Sequence, residues 1–163
     1  MKPKGNYLKN VLNIYLNFWL GILGGGVIDY FRGFSKPGVQ AYLPFPWYEL
    51  LLKVIEVNFT FSVIIFLLGI NRVVQRIVIV IISFIIGEIV FTSGFFIGLI
   101  GILPHGLLEI FGFSLIAYAG QNLRSKDNYV KPLLLGYFLL IIAAFIESFL
   151  TVYILQQTIG LSI

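Results

Sequence analysis

The stretch that decides the fold is residues 73–101, VVQRIVIVIISFIIGEIVFTSGFFIGLIG, which is apolar over nearly its whole length. About 20 apolar residues are enough for a helix to cross a hydrocarbon core about 30 Å thick. As one helix, this stretch would be about 43 Å long at a rise of about 1.5 Å per residue. It would need a tilt of about 45°, which exceeds the usual range. We therefore predict a membrane span that is bent or broken near Thr92-Ser93-Gly94, and we favour a continuous but bent element.

The whole chain has the composition of a membrane protein. Of its 163 residues, 59% are hydrophobic and 11% are charged, whereas soluble domains have about 45–50% and about 25%. Apolar runs predict five spans, near residues 11–31, 54–70, 73–101, 107–123 and 132–159. The predicted fold is an all-α, polytopic integral membrane helical bundle that forms one domain over residues 1–163, with the lipid bilayer as its surroundings.

The basic residues predict the orientation of the chain. They flank the apolar runs instead of forming a groove or stripe, so no nucleic-acid partner is expected. With the N-terminus inside, eight bases lie inside: Lys2, Lys4, Lys9, Arg72, Arg76, Arg124, Lys126 and Lys131. Three lie outside: Arg32, Lys36 and Lys53. The positive-inside rule thus predicts a protein of the cell membrane with a cytoplasmic N-terminus and an outside C-terminus.

The first two predicted spans are joined by an outside loop over residues 32–53. Within it, Trp47 and Tyr48 are typical anchors of the membrane interface, and apolar positions in the following residues fall on one helical face. A short interfacial helix is one interpretation of this segment. A plain extracellular loop is the other, and the residues do not decide between them.

Small residues recur at helical spacing in three spans. Such residues let helices approach closely in lipid. The candidates for helix packing are Gly21, Gly25, Gly87, Gly94, Gly98 and Ala144. They indicate either packing inside one bundle or a face for self-association or a pore lining, so a homo-oligomer is one expectation.

Four glutamates lie within apolar runs: Glu56, Glu88, Glu109 and Glu147. A charge at the bilayer centre costs on the order of 2.5–3.5 kcal/mol even on the permissive insertion scale, so such residues face the bundle interior. No lysine or arginine is expected at their depth, which leaves polar partners such as Asn58 and His105. Three hypotheses follow: protonated carboxyls that join helices by hydrogen bonds, a proton or cation pathway, or a socket for another membrane protein.

The single histidine, His105, lies between Pro104 and Gly106 and four residues before Glu109. Pro104 and Gly106 predict a tight turn that opens the fourth span near the outer face. One histidine and one glutamate make a poor metal site, because zinc takes three or four ligands and Glu88 or Glu147 would have to converge as well. No metal and no cofactor are therefore expected. The chain contains no Ser/His/Asp arrangement, paired aspartates or HExxH, and it is not expected to be an enzyme.

Two segments carry a family resemblance. Residues 101–110, GILPHGLLEI, and residues 143–151, AAFIESFLT, are similar to signatures of the stage II sporulation protein M family, and Glu56-Val57-Asn58-Phe59 resembles a third, weaker element. The resemblance covers roughly residues 54–151. It implies an all-helical polytopic protein. In endospore formers the namesake is a membrane scaffold for a peptidoglycan hydrolase and a peptidoglycan-binding protein. Many relatives are small stand-alone proteins from archaea, organisms that lack that peptidoglycan.

Two functions therefore remain. The resemblance favours a non-catalytic scaffold or complex subunit that associates with itself or with other membrane proteins. The density of intramembrane acids favours a small channel or transporter for protons or cations. The position of the four glutamates relative to one another separates the two.

Overall fold

The computed structural model describes residues 7–33, 47–92, 94–125, 128–151 and 153. These residues form helices and turns and no strand. The helices are α1 (Tyr7–Phe31), α2 (Trp47–Leu68), α3 (Arg72–Phe91), α4 (Phe95–Ser125) and α5 (Val130–Ile146), and a π-helical segment (Glu147–Thr151) extends α5. Five helices are long and apolar enough to cross a membrane. The predicted all-α, multi-pass architecture is confirmed.

Helix α2 begins seven residues earlier than the predicted second span. Residues 47–55 are helical, as one interpretation had it, but they continue directly into the span instead of forming a separate interfacial helix. The reason is periodicity: the buried positions Leu51, Asn58, Ser62 and Ile65 stay on one face, and no glycine or proline interrupts residues 47–68. Residues 34–46 of the predicted outside loop lie outside the described residues, as do Lys2, Lys4 and residues 152 and 154–159 of the fifth span.

The junction between the third and fourth spans differs from the prediction. Helix α3 ends at Phe91 and α4 begins at Phe95. The chain therefore breaks where a bend or break was predicted, near Thr92-Ser93-Gly94, but the favoured continuous run to Gly101 is wrong. Gly94 has a φ of 113°, a conformation that L-residues with a Cβ rarely adopt. Its N–H donates to the Phe91 carbonyl at 2.9 Å. The segment 95–101 consequently belongs to α4, so the turn lies about ten residues before the predicted one.

The predicted turn at Pro104 and Gly106 is also wrong, because both residues lie inside α4. Proline has no N–H, so the Ile100 carbonyl receives no hydrogen bond from position 104. In lipid, breaking the helix would expose several backbone groups, whereas one missing bond is tolerated when neighbouring helices surround the site. The number of spans is unchanged, and so is the count of basic residues on each side, since no lysine or arginine lies between Arg76 and Arg124.

Ring contacts give the relative directions of the helices. Tyr7 contacts Tyr118 with ring centroids 5.0 Å apart, and Tyr15 contacts Phe111 at 6.0 Å. Positions rise along α1 as they fall along α4, so these two helices are antiparallel. Trp47–Phe149 at 4.6 Å and Phe59–Tyr137 at 5.4 Å make α2 and α5 antiparallel in the same way. These directions agree with successive crossings of a membrane.

Four of the five predicted packing glycines lie at contacts within the chain; the exception is Gly94, where an added Cβ would meet nothing within 4 Å. A Cβ at Gly21 would collide with Ser83, one at Gly25 with the backbone of residues 84–88, and one at Gly87 with the Ile22 carbonyl. These contacts join α1 to α3 in a parallel pair. Gly98 packs α4 back against Val90 and Phe91, and Ala144 on α5 is fully buried. The described contacts therefore support packing inside one bundle, and a homo-oligomer would need a different face.

Candidate functional site

Three of the predicted polar residues meet between α4 and the end of α5. His105 Nε2 lies 3.8 Å from Glu109 Oε2 and 3.9 Å from Glu147 Oε2. The ligand atoms of these three side chains all lie within 4.8 Å of one another. Both of these separations exceed hydrogen-bond distance, so the groups face a common point without being bonded to one another across these atoms.

Helix α4 supplies two of the three side chains. His105 and Glu109 are four residues apart, which places them on one face of the helix, one turn from each other. At about 1.5 Å per residue, His105 lies about 15 Å along α4 from Phe95. The pair therefore lies in the interior of the span, and not at the turn where the sequence suggested it.

Glu147 comes from the point where α5 changes to the π-helical segment. Its backbone N–H donates to the carbonyls of both Ala143 and Ala144, and the π-helical segment begins at this residue. Single π turns inside α-helices occur frequently at functional sites. The Glu147 side chain is 31% exposed, against 19% for Glu109 and 11% for His105. Glu147 is therefore the most accessible member of the cluster.

Asn58 brings α2 to the same site. The residue is 7% exposed, and its amide interacts with the Glu109 carboxyl group. Even so, Asn58 Nδ2 is buried and makes no hydrogen bond of standard length and angle. Ser148 Oγ, directly after Glu147, is in the same condition. Two buried polar groups with unused hydrogen-bonding capacity thus lie at or beside the cluster, which is uncommon in folded proteins.

Glu88 does not join the cluster. It lies in the last turn of α3, where Arg32 Nη1 donates to Glu88 Oε1 at 2.7 Å. The prediction that no base lies within its reach is therefore wrong for this residue. Arg32 follows α1, and the parallel packing of α1 against α3 brings the C-terminal ends of both helices together. That partner was not visible in the sequence because the two residues are 56 positions apart.

Glu56 also lies apart from the cluster. It is exposed on α2, on a different face from buried Asn58. Of the six predicted members of the polar cluster, the structure thus brings together Asn58, His105, Glu109 and Glu147, and it leaves Glu56 and Glu88 elsewhere. Glu88 lies in the last turn of α3 beside Arg32, and Glu56 is exposed on another face of α2.

Sequence reasoning missed a buried amide pair at the opposite end of the bundle. Gln75 is fully buried. Its Nε2 donates to the carbonyls of Ile65 at 2.6 Å and Ala117 at 3.0 Å, and its Oε1 accepts from Gln121 Nε2 at 2.7 Å. Between this pair and the cluster, Ser62 Oγ donates to the Phe59 carbonyl and lies 3.1 Å from the Tyr137 hydroxyl. A signal was present: Gln75 is an uncharged polar residue at the edge of an apolar run.

Comparisons of the chain with protein-family models, curated proteins and solved structures found no match. One imidazole and two carboxyl groups can accept and release protons, and the same atoms are ligands for cations.

Proposed function

We propose that this chain is a small channel or transporter that moves protons or cations through the bilayer by way of the His105–Glu109–Glu147 cluster. The observation that carries the proposal is the convergence of these side chains in the interior of the spans, with ligand atoms within 4.8 Å of one another. Ionisable residues inside a membrane are costly, and they mark ion pathways and proton relays. A purely structural role would require each carboxyl group to be bonded in a dry helix contact.

Buried polar side chains beyond the cluster support a path towards the inner end of the bundle. From Asn58 the series continues along α2 to Ser62, which meets Tyr137 of α5. It resumes at Gln75 and Gln121, where α3 and α4 meet. His105 and Gln121 are separated by about 24 Å along α4. Such a series offers successive hydrogen-bonding groups over most of the hydrocarbon thickness.

The proposed orientation has the N-terminus in the cytoplasm and the C-terminus outside, in the cell membrane. It is supported by eight basic residues on the inner side against three on the outer side. The chain has no cysteine, so a single introduced cysteine can be labelled without background. A membrane-impermeant maleimide should label Phe31→Cys in intact cells and Lys9→Cys only after lysis. The reverse labelling pattern would contradict the orientation.

The transport proposal is tested by flux into liposomes that contain the purified protein. A pH gradient, or a gradient of a metal cation, drives the flux, and potassium with valinomycin compensates the charge. Glu147→Gln and Glu109→Gln should each lower the rate by about tenfold or more, because each removes an ionisable group from the cluster. Glu56→Gln is the matched control, since Glu56 is exposed on another face, and its rate should stay within about twofold of the wild type.

Two results would overturn the proposal. One is a wild-type rate equal to that of protein-free liposomes for protons and for metal cations, in both directions of the gradient. The other is equal loss of rate in Glu147→Gln and Glu56→Gln, which would assign the effect to general damage. Circular dichroism of each variant in the same lipid separates loss of function from loss of fold.

The scaffold function is the second candidate, and one observation favours it. The two segments that resemble the stage II sporulation protein M family supply the cluster together: His105 and Glu109 lie in the first and Glu147 in the second. On this interpretation the protein has no transport activity and binds other membrane proteins or itself. Liposomes without flux, together with a reproducible partner after mild cross-linking in native membranes, would favour the scaffold over the transporter.

A further inference from the structure

We infer that the cluster is a binding site for a divalent first-row transition-metal cation, of which Zn²⁺ is the representative, held by His105, Glu109, Glu147 and Asn58. This inference rests on the proposed function, whose cation class it names. It requires binding to be measured separately from flux, so that either can fail alone.

The distances suit a metal that draws the ligands together. Zinc binds imidazole nitrogen and carboxylate oxygen at about 2.0–2.2 Å, so two donors in a tetrahedral site are about 3.4 Å apart. The donor atoms here are 3.8 and 3.9 Å apart in the two pairs that include His105. A contraction of about half an ångström in each pair brings them to ligand spacing, and rotation about the terminal bonds of the glutamates supplies it.

The donor types indicate which cation would bind. Magnesium and calcium prefer oxygen ligands alone, whereas imidazole suits zinc and other late first-row metals. Two carboxylates balance a divalent charge, so the occupied site is close to neutral. That balance matters within a span, because an uncompensated charge there is costly. A monovalent cation would leave one negative charge over.

Asn58 gives an independent indication of a ligand. Its side chain is more than nine-tenths buried and its amide interacts with Glu109, but its Nδ2 makes no hydrogen bond of standard length and angle. Rotation of the amide group by half a turn presents Oδ1 in the place of Nδ2. Asn58 then becomes a fourth, oxygen ligand, and the tetrahedral set that zinc prefers is complete.

Ser148 is the candidate for a supporting contact next to the ligands. Its Oγ is buried without a hydrogen-bond partner and follows Glu147 directly in the chain. Groups of this kind orient metal ligands, and their loss typically weakens metal binding by about 10–100-fold. Glu147 begins the π-helical segment, so Glu147 and Ser148 both lie in the turn of this helix whose backbone departs from α geometry.

The single histidine makes the test direct. The chain has one histidine and no cysteine, so nitrogen ligation of zinc by a side chain can occur only at His105. The protein is labelled with ¹⁵N-histidine, purified in detergent through a tag without histidine, and titrated with ZnCl₂ while the imidazole nitrogens are observed by NMR. The expected result is a shift of the Nε2 resonance that saturates at one equivalent of Zn²⁺ and that MgCl₂ at the same concentration does not produce.

Variants identify the remaining ligands. Glu147→Gln and Asn58→Ala should each weaken zinc binding by about tenfold or more, and Glu56→Gln should leave it unchanged. An Nε2 resonance that does not move at a tenfold excess of Zn²⁺ over protein overturns the inference, and this result needs only the wild-type chain. If a variant fails to fold, the wild-type titration still decides.

The two proposals fail in different ways. If zinc saturates His105 but neither protons nor zinc cross the membrane, the metal site is supported and the transport proposal is contradicted. If protons cross the membrane but zinc causes no shift at His105, transport is supported and the metal site is overturned.

Discussion

Gln121 Nε2 donates a hydrogen bond of 2.7 Å to Gln75 Oε1, which joins α4 to α3 in the interior of the bundle. The Nε2 group of the same Gln75 amide donates to the Ile65 carbonyl. Ile65 lies in the last turn of α2, where carbonyl groups lack partners within their own helix. The Gln75 side chain thus joins α2, α3 and α4 by hydrogen bonds, at the point where α2 ends.

Gln75→Leu should therefore destabilise the bundle. The substitution leaves Ile65, Ala117 and Gln121 without their side-chain partner in a buried place. We expect a loss of about 1–3 kcal/mol in the free energy of unfolding. It is measured by titration with sodium dodecyl sulfate in mixed micelles, followed by circular dichroism. Asn13→Leu, which replaces an exposed amide on α1, should change stability by less than about 0.5 kcal/mol. Equal effects of the two variants would contradict the assignment.

Two adjacent glycines on α1 should respond oppositely to the same substitution. Gly25→Ala places a Cβ against the backbone of α3, which cannot move without separating the helices, and we expect a loss of about 1–3 kcal/mol. Gly24→Ala places it in ordinary contact with the Phe84 ring, 3.5 Å away, so stability should be unchanged or slightly higher. Unfolding in the same micelles measures both.

The same pair tests self-association through the glycine face. Because Gly25 packs against α3 of its own chain, Gly25→Ala should alter stability without altering the mass of the particle in detergent. A change of mass by light scattering in Gly25→Ala, with stability unaffected, would instead place this glycine in a contact between copies.

The position of the turn before α4 can be checked with two substitutions. Gly94→Ala forces a side chain onto a backbone with φ of 113°, although open space surrounds it. We expect a cost of about 1–3 kcal/mol from the backbone alone. Pro104→Ala restores an N–H inside α4 and should leave stability equal or higher. The opposite pattern would put the turn at Pro104, as the sequence suggested.

The ion pair of Arg32 and Glu88 should contribute little. The side chains are 68% and 29% exposed, and pairs of this kind are worth about 0–1 kcal/mol. A double-mutant cycle with Arg32→Met and Glu88→Gln should give a coupling below about 1 kcal/mol. The coupling should also fall as salt is added, since the screening length is about 10 Å at 0.1 M. A coupling that is large and independent of salt would mean that the pair is buried in the membrane.

The sequence identified what depends on composition and short spacing. Apolar length predicted five spans, and the spacing of His105 and Glu109 placed them on one helix face, both of which the structure has. It predicted a bend near residues 92–94 but placed the turn at Pro104 and Gly106, because four glycines and a proline occur between residues 94 and 106, and each is a candidate. The choice of Gly94 depends on the cost of opening a helix in lipid, which no local pattern records.

Long-range partners were the other gap. Arg32 reaches Glu88 because α1 and α3 pack in parallel, and Gln75 reaches Gln121 because α2 ends beside both helices. Neither relation follows from one helix alone. The sequence does not decide whether Glu147 meets His105, since that depends on which face of α5 packs against α4.

The π-helical turn that begins at Glu147 introduces a phase slip into the last span. A helical wheel of α5 that uses the α-helical rotation per residue assigns correct faces up to Ile146. Beyond Ile146 it rotates each residue too far, because a π turn holds an additional residue. Positions such as Ser148 and Phe149 therefore point in directions that an uninterrupted amphipathic pattern does not give. For this span, a hydrophobic period measured over its full length averages two different registers, and Glu147 stands at the boundary between them.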